Sequence, residues 1–287
     1  MKPAPVRYMT EDAQPEITFS VCSLVASEEK YQRLISSFTT NGFDASNTEF
    51  IAIDNRGNNR FDGYRALRAA ISAAKGEFIL YTHDDIELVD DDADTLLSIL
   101  RDLDARDPNW TLAGNAGWTI DHPERLMIHL RDPHGTRRDV DEPKRVGGLD
   151  ENFLILPRKR LVLPSLDLSG FHLFATDLCQ QSLFVGGSAW VIPFFLHHHS
   201  SGSHSSELEA SKAAFERKYG MIAKRPRVRA PATTMYLRYP AGFLARLSDS
   251  VYWTCRNGLQ SLRRKAKFFF YTADEPGGTY ATASLRG

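Results

Sequence analysis

Apolar and polar positions in the first hundred residues follow two alternating patterns. Short runs of β-branched and apolar residues are typical of buried strands, and amphipathic stretches behind a capping residue are typical of helices. Strands separated by single helices and short loops predict an α/β fold with a parallel sheet between helices. The predicted strands are 17–25, 49–54 and 77–82, and the predicted helices are 27–38, 63–74 and 90–104.

The pattern is less regular around the middle of the chain. Residues 118–145 mix prolines, histidines and charges without a period, which predicts a long loop with a functional role. Regular elements flank this loop, as strands at 111–117, 153–156 and 188–196 and helices at 177–184 and 206–219.

Three predicted strands end in short polar or small-residue segments, at 25–27, 54–55 and 83–85. Ligands of parallel α/β sheets bind outside the carboxyl ends of the strands. The topology therefore predicts that these three segments open on one crevice.

The composition is that of an ordinary globular protein, with 42% hydrophobic and 25% charged residues in a chain of 287. Three separated cysteines without a C-x-x-C pair argue against a disulfide framework or a zinc ribbon. The first sixteen residues lack the apolar core of a signal peptide, and the apolar stretch 183–196 is too short to span a bilayer. We therefore expect a cytoplasmic protein.

An acidic cluster follows the third predicted strand, in the segment HDDIE at 83–87. Neighbouring carboxylates repel one another unless a positive group lies between them. Mg²⁺ or Mn²⁺ can supply that group, together with phosphate oxygens from a ligand. The alternative is that the acids only complement the dipole of the following helix, which fits 90–92 better than Asp84 and Asp85.

Several segments carry a family resemblance in their order: ITFSVCSLVAS from residue 17, EFIAIDN from residue 49, AKGEFILYTHDDIEL from residue 74 and GFHLFATDL from residue 170. This order resembles a GT-A-fold glycosyltransferase of the family-2 type over roughly residues 17–219. The D-x-D element of that family corresponds to His83-Asp84-Asp85 here, so the resemblance is to a sub-group with an H-x-D variant. It implies a GT-A fold, a mostly parallel sheet flanked by helices.

The resemblance also implies an activity and a set of site residues. The activity is transfer of a sugar from a nucleotide-diphosphate donor to a hydroxyl of a glycan or lipid-linked acceptor, with inversion and with Mn²⁺ or Mg²⁺ as cofactor. Asp85 would ligate the metal, with His83 beside it, and Asp177 would be the general base, although an ordinary first-turn acid is the alternative for Asp177. Candidates for binding the nucleotide-sugar are Ser23, Ala26, Asp54, Asn55, Asp84 and Trp118, the last with core packing as its alternative.

Three consecutive histidines follow the predicted strand 188–196. If the strand continues, alternation places His197 and His199 on one face and His198 on the other. In several enzymes of the resembling fold a histidine after this strand is a metal ligand, so His199 is our first candidate and His197 the second. A structural role is the alternative.

Charge is distributed unevenly along the chain. Residues 221–287 hold twelve Lys and Arg against three acids, a net charge of +9, while the first 220 residues carry −10 and the total is −1. Apolar positions at helical spacing within 236–271 predict a basic amphipathic helix, which could lie on the inner face of an anionic membrane or pack on the catalytic domain or a second copy. No nucleic-acid recognition motif accompanies the charge.

We therefore predict a tail at 1–16, a catalytic domain at 17–220 and a helical basic extension at 221–287. The predicted function is metal-dependent glycosyl transfer in surface glycan or polysaccharide synthesis. A nucleotidyltransferase is one alternative, although 25–28 lacks a Gly-rich phosphate loop. A non-catalytic nucleotide- or carbohydrate-binding relative is the other, suggested by the histidine at position 83.

Overall fold

The computed structural model describes residues 14–120, 125–200, 206–220, 222, 227–230, 233–237, 243–254 and 256. Twelve of the strands in these residues form one curled sheet, and two more form a separate hairpin. The strands are β1 (Ile17–Val25), β2 (Thr48–Asp54), β3 (Gly76–His83), β4 (Ile86–Leu88), β5 (Trp110–Gly114), β6 (Ala116–Thr119), β7 (Leu126–Asp132), β8 (Gly135–Arg138), β9 (Lys144–Leu149), β10 (Phe153–Pro157), β11 (Ser188–Val191), β12 (Leu196–His198), β13 (Arg227–Ala230) and β14 (Thr233–Tyr236). The helices are α1 (Glu28–Thr40), α2 (Gly63–Ala73), α3 (Ala93–Arg106), α4 (Phe174–Phe184) and α5 (Ser206–Tyr219), and residues 243–254 form a further helix, here called the C-terminal helix.

The amino-terminal part of the sheet is parallel, as the alternating pattern predicts. Strand β1 lies between β2 and β3 and pairs with both in parallel. The register places Val25 beside Asp54 and Leu24 beside His83, so the carboxyl ends of all three strands meet at one edge. The α/β fold and the common edge predicted from the sequence are therefore confirmed.

Two hydrophobic cores lie on opposite faces of this sheet. Successive residues of a strand point to opposite faces, and both sets are apolar because helices cover both sides. Val21 of β1 packs with residues of α1 and α3, whereas Cys22 packs with residues of α2 and α4. Both faces of β1 are therefore covered by helices.

The helix starts follow local capping chemistry. The side chains of Ser27, Asp62 and Asp92 accept hydrogen bonds from backbone N–H groups of the first turns of α1, α2 and α3. The Asp92 cap starts α3 at Ala93, three residues later than the predicted 90. The intervening strand β4 has only three residues and was missed for that reason.

The prediction of a long loop over 118–145 is wrong. Strand β6 pairs antiparallel with β7 and β9, and β7 pairs with β8, so most of this segment is sheet. Strand β8 reads Gly-Thr-Arg-Arg and is exposed throughout, which leaves no hydrophobic alternation to detect. Its pairing depends on β7 rather than on its own pattern.

The basic extension begins with a hairpin rather than a helix. Strands β13 and β14 pair antiparallel, and Val228 and Met235 are buried in the same core as α2 and α4. Gly148 of β9 lies so close that a Cβ there would stand 2.1 Å from the carbonyl oxygen of Arg229. Of the predicted helix at 236–271, residues 243–254 are helical, and 257–287 lie outside the described residues. The division of the chain at residue 220 stays a prediction.

Among the residues described, the helices are all too short or too polar to reach across a lipid bilayer.

Candidate functional site

A cavity of about 450 Å³ opens at the carboxyl end of β3, where the topology predicts the ligand site. Its walls come from the ends of β1 and β3, from β7, from the segment between β9 and β10 and from the turn before α4. The polar side chains among its lining residues are Lys30, Tyr81, Thr82, His83, Asp84, Asp85, Asp132, Asp150, Glu151, Asn152, His172, His198 and Ser200.

Three of these side chains form a cluster with the donor set of a metal site. One ligand atom from each of His83, Asp85 and His198 lies within 4.8 Å of the others. The Nδ1 atom of His83 is 3.2 Å from Nε2 of His198, and that nitrogen is 3.4 Å from Oδ1 of Asp85. Two imidazoles and a carboxylate converging on one point can hold a divalent cation.

The electrostatics of the cluster favour the charged form of the Asp85 carboxylate and the neutral form of the His83 imidazole. Burial by itself would raise the pKa of Asp85, but its hydrogen bonds with His198 and Ser200 and the nearby His83 hold that pKa well below its ordinary value. Burial lowers the pKa of His83, and the adjacent His198 lowers it further. Both protonation states are those a metal ligand needs.

Asp84 and Lys30 complete the wall on the side of α1. The Asp84 carboxylate is buried and accepts hydrogen bonds from the backbone N–H groups of Ala26 and Ser27, at 2.8 and 2.9 Å. This contact fastens the end of β3 to the start of α1. The Nζ atom of Lys30 lies 3.4 Å from Oδ2 of Asp85, and its side chain stays partly exposed to the cavity.

The histidine brought to the cluster is His198, and not our first and second candidates, His199 and His197. Strand β12 pairs antiparallel with β4, with His198 opposite Ile86. His197 and His199 therefore point to the other face, where their ring centres lie 3.9 Å apart. Nε2 of His199 is 3.0 Å from Oε1 of Glu87. The predicted alternation, with His198 on one face and His197 and His199 on the other, is correct, but the sequence does not indicate which face is the inner one.

Of the three strand-end segments predicted to open on one crevice, only 83–85 lines this cavity, and the residues near the end of β2 lie outside its wall. Asp54 is partly exposed and bonds to Arg56 and Arg60, and the hydrogen bond with Arg56 lowers its pKa. Asn55 is buried, and its amide makes two hydrogen bonds with the backbone of Phe61, closing the loop between β2 and α2. Ser23 is fully buried on β1.

Trp118 also lies away from the cavity. Its indole ring is half-buried beneath the guanidinium of Arg229, whose Cζ is 5.1 Å from the ring centre. The side chain thus contacts the β13–β14 hairpin, which supports the core-packing alternative.

The sequence-predicted base, Asp177, is enclosed in the protein. It is 0% exposed and does not line the cavity. Its carboxylate accepts hydrogen bonds from the backbone N–H and the hydroxyl of Ser165, at 2.7 and 2.6 Å, and from the hydroxyl of Tyr219 at 2.5 Å. Burial raises the pKa of Asp177 against the effect of these bonds.

The cavity holds a different acid that the sequence reading missed. Glu151 lies in the wall, and its Oε1 accepts a hydrogen bond of 2.8 Å from the backbone N–H of Leu173. Leu173 has a left-handed conformation with φ of 70°, which an L side chain rarely adopts, at the start of α4. Burial and the adjacent Asp150 raise the pKa of Glu151 to about 8.

The neighbouring residue, Asn152, also lines the cavity. Asn152 is 2% exposed, and its side-chain oxygen has no hydrogen-bond partner among the described residues. A buried carbonyl without a partner is costly unless a ligand satisfies it. The signal in the sequence was the polar run Asp150-Glu151-Asn152 beside an apolar strand, although it stands before its strand and 83–87 stands after one.

Comparison with known proteins gives one relative in sequence. No protein-family model matches the chain. The protein named ATP synthase subunits region ORF 6 from Fuscovulum blasticum is 38% identical over 224 residues, which are 76% of this chain and 90% of that protein. Its name states no activity.

Comparison with solved structures gives the fold. GalNAc-T7, solved with UDP, GalNAc and Mn²⁺, is 12% identical with a TM-score of 0.51, over 72% of this chain and 48% of that one. The mannosyltransferase PcManGT from Pyrobaculum calidifontis, solved with GDP-Man and Mn²⁺, is 11% identical with a TM-score of 0.45, over 74% of this chain and 65% of that one. The chain thus spans about half the length of the first. The fold is that of the GT-A glycosyltransferases.

Proposed function

The chain belongs to the family of the ATP synthase subunits region ORF 6 protein of Fuscovulum blasticum, and we propose that it is a metal-dependent glycosyltransferase with a nucleotide-diphosphate sugar as donor. The observation that carries the proposal is the cluster of His83, Asp85 and His198 in a cavity at the carboxyl end of β3. A GT-A sheet with this cluster at its open edge fits nucleotide-sugar chemistry.

The ligands proposed for the cation are Asp85, His198 and His83. Their spacing fits a divalent ion, and two imidazoles favour Mn²⁺ over Mg²⁺ because Mg²⁺ selects oxygen ligands. When bound, the cation neutralises the charge of a diphosphate leaving group. A ligand role for His199 or His197 would require β12 to rotate.

The donor would be held by residues on the α1 side of the cavity. The ammonium of Lys30 lies beside Asp85, so it can bind a phosphate oxygen next to the metal site. Asp84 positions Lys30 indirectly, since it fixes the backbone at the start of α1. Asp54, partly exposed at the adjacent strand end, remains our candidate for the nucleoside, with Ser23, Ala26 and Asn55 as its structural support.

Glu151 is the group proposed to take the proton of the acceptor hydroxyl. A general base works best when its pKa lies near the working pH, and the pKa of Glu151, raised by burial, meets that condition. Asn152, with its unpartnered oxygen, can accept a hydrogen bond from a sugar hydroxyl beside it. Asp177 instead tethers α4 to Ser165 and to Tyr219 of α5. We keep inversion at the anomeric carbon, a glycan or lipid-linked acceptor, a role in polysaccharide synthesis and a cytoplasmic location as parts of the proposal.

The test is release of nucleoside diphosphate from a panel of UDP- and GDP-sugars without acceptor, with Mn²⁺ or with EDTA. We expect release from one donor class, dependent on Mn²⁺ and lost in Asp85→Asn but retained in Asp94→Asn, an acid in the first turn of α3. Thermal unfolding with each donor reports binding separately from turnover.

Each other outcome has a definite meaning. Donor-dependent stabilisation without release would identify a binding protein, and pyrophosphate release from nucleoside triphosphates would identify a nucleotidyltransferase. If no donor either stabilises the protein or releases its nucleoside diphosphate, the proposal is overturned.

A further inference from the structure

The C-terminal helix is attached to the body through its polar face. Asp249 is 6% exposed, its Oδ2 lies 3.5 Å from Nη2 of Arg229, and it accepts a hydrogen bond of 3.1 Å from the hydroxyl of Tyr236. The guanidinium of Arg246, one turn earlier, stacks on the Tyr236 ring with Cζ 5.0 Å from its centre. A buried ion pair therefore sets the rotation of this helix.

That rotation leaves the apolar face of the helix outside. At about 100° per residue, Phe243, Leu244, Leu247 and Val251 fall within an arc of roughly 100°, away from Asp249. We call these four residues the apolar stripe. Their exposed fractions are 54%, 61%, 49% and 64%, so no described part of the chain covers them. Contiguous exposed apolar surface of this kind marks an interaction site.

The surroundings of the stripe are basic and aromatic. Arg246 flanks it on one side, with its Nη2 3.9 Å from Oε1 of Glu216, and Arg256 lies at the end of the helix with its Cζ 4.8 Å from the centre of the Trp253 ring. Tyr252 and Trp253 are also exposed there. The segment 221–287 as a whole carries a net charge of +9. Apolar residues with Arg, Tyr and Trp at their edge suit a boundary between lipid tails and anionic headgroups.

We propose that the C-terminal helix binds the surface of an anionic membrane, with the apolar stripe entering the headgroup region. A second copy of the chain fits less well, because two segments of like charge would face each other. A standard interface between proteins also involves about 20–30 residues on each side, far more than one short helix offers. Each apolar side chain that leaves water and each Arg near anionic lipid adds to membrane affinity.

The experiment is co-sedimentation of the full chain with vesicles of phosphatidylcholine alone or with a third of phosphatidylglycerol. We expect binding to the anionic vesicles only, weakened by high salt. The double variant Leu244→Ser/Leu247→Ser should lower the partition coefficient about tenfold or more. Leu166→Ser, at an 84% exposed leucine outside the C-terminal helix, is the matched control and should bind as the wild type does.

The readout is independent of glycosyl transfer, so failure of the proposed function leaves it unchanged. Thermal unfolding of the double variant checks its fold, and Val251→Ser is the second variant if that fold is lost. Binding to neither vesicle, or equal binding by wild type and variants, would overturn the proposal. A dimer in light scattering that the stripe variants dissociate, without vesicle binding, would assign the stripe to a second copy instead.

Discussion

The Nδ1 atom of His83 and the Nε2 atom of His198 lie 3.2 Å apart, although 115 residues separate them in the sequence. Only one of these nitrogens carries the proton of a shared hydrogen bond, so the other offers a lone pair. His83 and His198 would hold a divalent cation only as neutral imidazoles, because each ligating nitrogen must offer a lone pair. The contact between β12 and the end of β3 therefore brings the two proposed histidine ligands together.

Replacement of His198 by Ala should weaken Mn²⁺ binding at least tenfold, because one of three converging ligand atoms is lost. Calorimetric titration of the purified chain with Mn²⁺ measures the change. His199→Ala is the control, since that ring pairs with Glu87 on the other face of β12 and its removal should change the affinity less than threefold. A larger loss in His199→Ala than in His198→Ala would return His199 to first place.

Glu151→Gln should reduce glycosyl transfer about 10²–10⁴-fold while donor and Mn²⁺ still bind. The amide keeps an oxygen for the Leu173 N–H but cannot take a proton. In the wild type the rate should rise with pH toward the Glu151 pKa of about 8, because only the ionised carboxylate accepts a proton. The pH profile of transfer measures this, and an active Glu151→Gln variant with an unchanged profile would rule Glu151 out.

Glu151 should also make the free energy of unfolding depend on pH. Its pKa is raised in the folded state from an ordinary value of 4.5 to about 8, so the folded protein holds the proton more tightly. The contribution of Glu151 to the free energy of unfolding is complete below about pH 4.5. It is lost as the pH rises to 8, at up to roughly 1.4 kcal/mol per pKa unit.

Asp150 is the charged neighbour that raises the pKa of this carboxyl group, so its own ionisation is coupled to that of Glu151. The comparison is therefore between urea unfolding of the wild type and of Glu151→Gln at pH 5.5 and pH 8. We expect the difference between the two proteins to change with pH in the direction given. A constant difference would contradict the raised pKa.

Asp177→Ala should destabilise the protein by about 3 kcal/mol, because the N–H and hydroxyl of Ser165 and the hydroxyl of Tyr219 lose their buried acceptor. Urea unfolding measures the loss. Asp177→Asn keeps one oxygen, so its free energy of unfolding should lie between those of the wild type and Asp177→Ala. A fully stable Asp177→Asn variant that binds donor but transfers no sugar would instead make Asp177 the base, as the family resemblance implies.

Gly148→Ala should destabilise the protein by about 2 kcal/mol or more, since a methyl group would overlap the Arg229 carbonyl of the β13–β14 hairpin. Gly147→Ala is the matched control, because the nearest atom to its Cβ is in Ile120 at 3.5 Å, an ordinary contact. The free energies of unfolding of both variants test whether the β13–β14 hairpin packs as part of the same domain as β9. Equal stability of the two would support a boundary at residue 220.

Local pattern alone was enough for the parallel half of the sheet. The apolar runs at 17–25, 49–54 and 77–82 and the cap at Ser27 are short-range features, so they identify their elements without knowledge of neighbours. Because parallel strands share one carboxyl edge, the crevice and the candidates Asp84 and Asp85 followed from the same reading. The segment 118–145 was not accessible in this way, because β8 has no hydrophobic face of its own.

The identity of the site residues depended on pairings between distant segments. Alternation separates His198 from His197 and His199, but only the pairing of β12 with β4 and β7 makes the His198 face the inner one. The sequence pattern predicts Asp177 to be a reactive acid. In the structure its carboxylate accepts hydrogen bonds from Ser165 and Tyr219, which lie outside α4. The packed neighbours of a side chain determine its burial, and with it its pKa and its access to a ligand. The sequence pattern therefore identifies the acids and the histidines, and long-range packing determines which of them line the cavity.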